Sequence, residues 1–116
     1  MKKAMYYVCP VCGGITMTTG QAELSCCGRK LRALVPQKAA EEEKLRVEKV
    51  EDEWFITSSH PMTKAPHIAF VAFATGDKIQ LIKQYPEWNL QVRIQKRGHG
   101  MLFWYSTTQG FFYQLL

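Results

Sequence analysis

Beyond position 27 the chain has no cysteine, histidine occurs only three times in 116 residues, and no apolar stretch is long. The longest apolar run, residues 68–74, has seven members, where a membrane-crossing helix needs roughly 20. No charged start leads into a signal-type apolar segment, so a cytoplasmic protein with no membrane partner is expected. The 15 Lys and Arg residues form no block. Nucleic-acid binders concentrate basic charge on one face, so nucleic acid is not the expected partner and the excess is read as solubility. An apolar stripe at helical spacing is also lacking, which leaves strands to build any core. There is no internal repeat and no low-complexity segment. With 47% apolar and 22% charged residues the chain can bury a core, which excludes wholesale disorder. Its length excludes a large multidomain enzyme, and allows one ordinary domain or a small metal-stapled module followed by a larger one.

What is present starts with four cysteines: Cys9 and Cys12 in Cys-Pro-Val-Cys-Gly-Gly, then Cys26 and Cys27 in Cys-Cys-Gly. A Cys-x-x-Cys-Gly turn aims two sulfurs at one point, and its glycine lets backbone N–H groups approach the thiolates. Two short β-type stretches around Thr19-Gly20 give enough chain to return the second pair to the first. A four-cysteine metal site is therefore expected at Cys9, Cys12, Cys26 and Cys27. Two disulfides would need an oxidising compartment, which the missing signal segment argues against. A thioredoxin-type thiol pair would open a helix, whereas Gly-Gly and a β-like stretch follow here. Sulfur ligands admit iron, as in rubredoxin-like centres, or zinc, and spacing does not choose between them. Four thiolates around one divalent metal lower the formal charge of +5 to +3.

Residues 31–35 read as one more short strand, ended by Pro36. The polar stretch 37–45, with Glu41, Glu42 and Glu43 in a row, reads as a linker. From Leu45 onward apolar residues alternate with polar ones. Leu45, Val47 and Val50 form one strand and Trp54 and Ile56 another, joined by the acidic turn Glu51-Asp52-Glu53. Residues 68–74 read as a central strand covered on both faces. Residues 78–84 and 90–95 alternate as half-buried strands, and 101–105 pairs with 111–115 in a closing hairpin. About seven strands in roughly 70 residues predict an antiparallel β-sandwich. The aromatics concentrated there would supply its core.

These residues resemble the desulfoferrodoxin family, the two-domain superoxide reductases. The likeness runs through Tyr-x-Cys-x-x-Cys-Gly, Cys-Cys-Gly, Glu43-Lys44, His60-Pro61-Met62-Thr63, and Tyr105 with Gly110. It implies an all-β chain: a desulforedoxin-like module over 1–36, a linker over 37–45, an immunoglobulin-like sandwich over 46–116, and a homodimer. The family's catalytic iron is held by four histidines and an axial cysteine, of which this chain keeps only His60. Leu45 and Pro66 stand at two histidine positions, Ser106 at the cysteine and Gln109 at a further histidine. His67 lies one residue off, facing the opposite side of an extended chain. Leucine and proline cannot donate, while serine and glutamine are weak neutral ligands. No catalytic residue is therefore assigned, and a second iron is not expected. Lys44, at the family's Glu-Lys step, would have no metal-bound anion to meet.

His60 is expected to be a hydrogen-bonded remnant, His67 packing or surface, and His99 an exposed turn residue. A site rebuilt from the three histidines is the less favoured alternative. Three functions follow from these residues. The first is a desulfoferrodoxin-like iron or zinc protein that transfers one electron at its four-cysteine centre, with a redox partner protein. The second is a zinc-stapled binding scaffold, and the third an oxidoreductase with a rebuilt site around His60.

Overall fold

Residues 4–20, 23–64, 66–75, 78–95 and 100–116 are described by a computed structural model, and all their regular structure is β. The chain divides into two compact units, 1–35 and 36–116. In the first, β1 (Met5–Val8) pairs antiparallel with β2 (Ile15–Thr18), and β3 (Leu24–Cys26) with β4 (Arg29–Leu31). The two β-type stretches expected around Thr19-Gly20 are present, but each pairs with a different neighbour. Period-2 alternation puts Met5, Tyr7 and Cys9 on one face. That face packs with Leu24, Cys26, Leu31 and Ala33 in a small core. β4 stops at Leu31, short of the strand expected over 31–35. Leu34 N–H instead donates to Tyr6 O at 2.8 Å.

The second unit runs through β5 (Gln37–Lys38), β6 (Arg46–Val50), β7 (Glu53–Thr57), β8 (Ile68–Thr75), β9 (Lys78–Lys83), β10 (Gln91–Gln95), β11 (Met101–Ser106) and β12 (Gly110–Leu115). One sheet has the order β10-β7-β6 and the other β5-β12-β11-β8-β9, with only β5–β12 parallel among the described residues. Ile56, Val92 and Ile94 from the first meet Ile68, Val71, Phe73, Leu102, Trp104 and Phe112 from the second in one core. This is the expected β-sandwich. Residues 68–73, except Ala69, are buried on both faces of β8. On the outer face Phe70 stacks on Tyr105 and Phe103 on Phe111.

The stretch 37–45, expected as a linker, belongs to the second unit. Gln37–Lys38 extends the five-stranded sheet, Ala39 N–H donates to Tyr113 O at 3.0 Å, and Ala39 and Leu45 are core residues. The acidic run masks Ala39 as an apolar anchor, while residues 41–44 only turn the chain between Ala39 and Leu45, with Lys44 N–H donating to Ala40 O. The Lys44–Glu41 ion pair is exposed and adds little.

Two local features shape the end of the sandwich that holds His60. Between Tyr105 and Ser106 the pairing of β11 with β8 shifts from Phe70 to Ile68, leaving Ala69 as the extra residue of a bulge. The closing turn carries Gly110 at φ 112°, a backbone that favours glycine. Together they set Ser106 on the buried face of β11.

Candidate metal centre

Each pair of cysteines sits in a tight turn whose backbone explains its placement. Residues 9–14 link β1 to β2. Cys9 N–H donates to Gly14 O and Gly13 N–H to Cys9 O, both at 2.9 Å, and Gly13 takes φ 73°. Gly14 N–H then donates to Cys12 Sγ at 3.4 Å. The second pair ends β3 and opens its turn: Cys26 faces Arg29, with Cys27 at φ 53° and Gly28 at φ 74° between them. Two consecutive positive φ angles make a hairpin turn of the kind whose twist suits antiparallel strands. Sequence reasoning took Cys-Cys-Gly as ligands alone; glycine after a two-residue break was the available signal for the hairpin.

The four sulfurs all lie within 4.8 Å of one another. Cys12 and Cys26 sulfurs are 3.5 Å apart and those of Cys26 and Cys27 are 3.8 Å apart. A tetrahedral ion with metal–sulfur bonds of about 2.3 Å requires sulfur separations of about 3.8 Å. The donor set fits, and the four cysteines are positioned to bind a metal ion. Exposure grades across the cluster: Cys9 is 1% exposed, Cys26 half-buried, and Cys12 and Cys27 on the surface.

Electrostatics point the same way. Backbone N–H groups of Cys12 and then Val11 lower the Cys9 thiol to about 6. Cys26 is pushed up to about 12, first by Cys12 and then by the sulfurs of Cys9 and Cys27, and Cys27 is raised chiefly by Cys12. One thiolate among crowded sulfurs makes the next costly. A dication removes that cost, because it turns repulsion among thiolates into coordination.

In the second unit the positions that resemble catalytic ligands take other roles. His60 Nε2 is 2.9 Å from Ser106 Oγ and its Nδ1 is 2.7 Å from Pro61 O, so both ring nitrogens are engaged. Ser106, 1% exposed, also accepts Gln109 N–H at 3.1 Å. Leu45 is clamped by Gln114, whose Oε1 accepts Leu45 N–H at 2.8 Å and whose Nε2 donates to Leu45 O at 3.2 Å. His67 exchanges bonds with Thr107: its N–H donates to Thr107 Oγ1, and its carbonyl accepts Thr107 N–H. The His67 ring Nδ1 is buried with no hydrogen-bond partner among the described residues. His99, with Lys96 and Arg97, lies outside the described residues. His60 is hydrogen-bonded as expected, but neither its partner Ser106 nor the clamp on Leu45 was foreseen, since both pairs join residues far apart in the chain.

Fold and cluster together define the class: an all-β protein with four cysteines positioned to bind a metal ion, in a fold shared with a solved superoxide reductase. The crystal structure of the superoxide reductase from Treponema pallidum matches with a TM-score of 0.82 at 17% identity, covering 98% of this chain and 99% of that chain. At that identity the likeness is one of fold. The superoxide reductase from Nanoarchaeum equitans matches with a TM-score of 0.43 at 19% identity, over 71% of this chain and 98% of that one. No family model and no curated protein matches the chain. Among the described residues no helix is long and apolar enough to cross a membrane.

Proposed function

We propose that the chain is a desulfoferrodoxin-like metalloprotein whose four-cysteine centre carries one electron, beside a degenerate superoxide reductase site. The observation that carries this proposal is the convergence of four sulfurs, from two separate turns, within 4.8 Å. Cys12 and Cys27 at the surface give electrons a short route out, and Cys9 anchors the centre in the small core. Iron would cycle between ferrous and ferric states there, and zinc would not. The degenerate second site is supported by His60, whose nitrogens are taken by Ser106 and Pro61.

A homodimer and a redox partner protein belong to the proposal, as the family resemblance implies, and light scattering on the purified protein tests the dimer. Four unpaired cysteines suit a reducing compartment, which supports a cytoplasmic setting.

The deciding experiment is metal content per chain on untagged protein, with visible spectra before and after dithionite. One iron with bleachable thiolate-to-iron bands is the expected result; a chain that holds no metal at all overturns it. One specific observation favours the zinc-scaffold alternative: among the described residues, the core cluster that holds Cys9 has only Tyr7 and Leu31 as its other buried members. So small a core needs a staple whichever metal supplies it. A single zinc and a colourless solution would select that scaffold.

A further inference from the structure

We propose that the metal centre is also a modification site: peroxide joins Cys12 to Cys26 in a reversible disulfide that releases the metal. This rests on the assignment of the cluster as a metal centre, and its own support is the unequal setting of the four sulfurs. Cys9 is 1% exposed and closed to a solute oxidant, whereas Cys12 is on the surface. Susceptibility of a thiolate to oxidation follows its accessibility. The sulfur 3.5 Å from Cys12 belongs to Cys26, on the other turn and 14 residues along the chain.

Cys27 is exposed too, and its sulfur lies within 4.8 Å of that of Cys12 but 3.8 Å from that of its chain neighbour Cys26. A bond between adjacent cysteines would close a small ring through the peptide, far from ordinary disulfide geometry. Cys27 is moreover fixed in a tight turn at φ 53°. Closing Cys12 onto Cys26 shortens 3.5 Å to about 2.0 Å by side-chain rotation and small movement of the two turns.

The chemistry balances with peroxide as the two-electron oxidant. Cys12 thiolate attacks one peroxide oxygen, the O–O bond breaks, and hydroxide leaves to give a sulfenic acid. Cys26 thiolate then attacks the Cys12 sulfur, the S–S bond forms, and the S–O bond breaks with loss of a second hydroxide. Two protons convert both hydroxides to water. Peroxide is reduced, the two thiolates are oxidised, and the metal keeps its charge. Cys9 and Cys27 alone are too few ligands to retain it. The new bond spans the same two turns that the metal had joined, so the first unit exchanges one crosslink for another.

Zinc-loaded protein tests this without a redox-active metal. Hydrogen peroxide is added with a chromogenic zinc chelator, free thiols are then alkylated, and the chain is cut after Glu23 to part the two cysteine pairs. The expected result is one zinc released per chain as two thiols disappear. The fragments should be linked through Cys12 and Cys26, with Cys9 and Cys27 alkylated, and reductant should restore zinc binding. Fragment-ion spectra distinguish Cys26 from Cys27. Linkage through Cys9 or Cys27, or sulfinic and sulfonic acids with no disulfide, overturns the proposal. Failure of the untreated protein to take up zinc overturns the metal-centre assignment instead, and the same mapping on metal-free protein still decides the Cys12–Cys26 pairing.

Discussion

His60 Nε2 lies 2.9 Å from Ser106 Oγ, two side chains 46 residues apart in the chain. Pro61 O, 2.7 Å from Nδ1, can only accept, so Nδ1 carries the proton and Nε2 accepts the Ser106 hydroxyl. The N–H groups of Gln109 and Thr108 also donate to the buried oxygen, at 3.1 and 3.4 Å. An imidazole committed at both nitrogens has no lone pair left for a metal, which supports the degenerate site proposed above.

Ser106→Ala removes an acceptor from the N–H groups of Gln109 and Thr108 and a donor from His60 at once. Unsatisfied buried partners cost about 1–3 kcal/mol. We expect a loss of about 2 kcal/mol in urea denaturation, against about 1 kcal/mol for His60→Ala, after which the serine keeps its bond to Gln109. Equal losses for the two variants would show that the hydroxyl matters only through the histidine.

Gln114→Leu tests the clamp on Leu45. The amide reproduces a rung of sheet pairing for a backbone that has no strand partner there, and it is 6% exposed. Leucine keeps the volume but strands one N–H and one C=O. A loss of about 2–4 kcal/mol in unfolding free energy by urea denaturation is expected, with the strand content by circular dichroism unchanged.

Such pairs explain why the sequence was informative about some levels and silent about others. Period-2 alternation announced the strands of the sandwich because burial of one face leaves its mark residue by residue. The cysteine spacing announced the cluster because coordination limits chain geometry. The acidic residues 41–43 concealed Ala39, since composition averages over a lone apolar anchor in a polar stretch. The Cys27-Gly28 turn stayed hidden because cysteine is not a residue that usually marks a positive φ. His60 with Ser106 and Leu45 with Gln114 are tertiary facts; no local pattern encodes a partner brought in by folding.

Tyr6 predicts an alkaline limit to stability. Its hydroxyl is pushed up from 10.0 to about 12 by burial, and the ring is 2% exposed. An acid whose pKa is raised on folding stabilises fully below the unfolded value and loses that contribution as pH climbs through the folded one. The window is therefore pH 10 to 12, and the loss at its top is about 3 kcal/mol at 1.36 kcal/mol per unit. Comparing wild type with Tyr6→Phe isolates this group from the cysteines that titrate nearby. The variant should show a shallower decline in urea midpoint over that range, and parallel curves would refute the assignment.

Two glycines beside the cluster should fail in different ways. A Cβ on Gly28 meets nothing within 4 Å, but its φ of 74° is left-handed, so Gly28→Ala costs about 1 kcal/mol of stability through backbone strain. A Cβ on Gly14 would stand 3.3 Å from Cys12 Sγ, and Gly14 N–H is itself a donor to that sulfur. Crowding there shifts a ligand and its hydrogen bond together, and disturbance of a ligand's outer partners lowers metal affinity about 10-fold or more. Chelator competition on zinc-loaded protein should therefore rank Gly14→Ala below Gly28→Ala in affinity. Urea denaturation of the chelator-stripped chains should rank them the other way, because without metal only the strained turn at Gly28 remains. Loss of affinity in Gly28→Ala alone would mean that the second turn, and not the first, sets the position of the sulfurs.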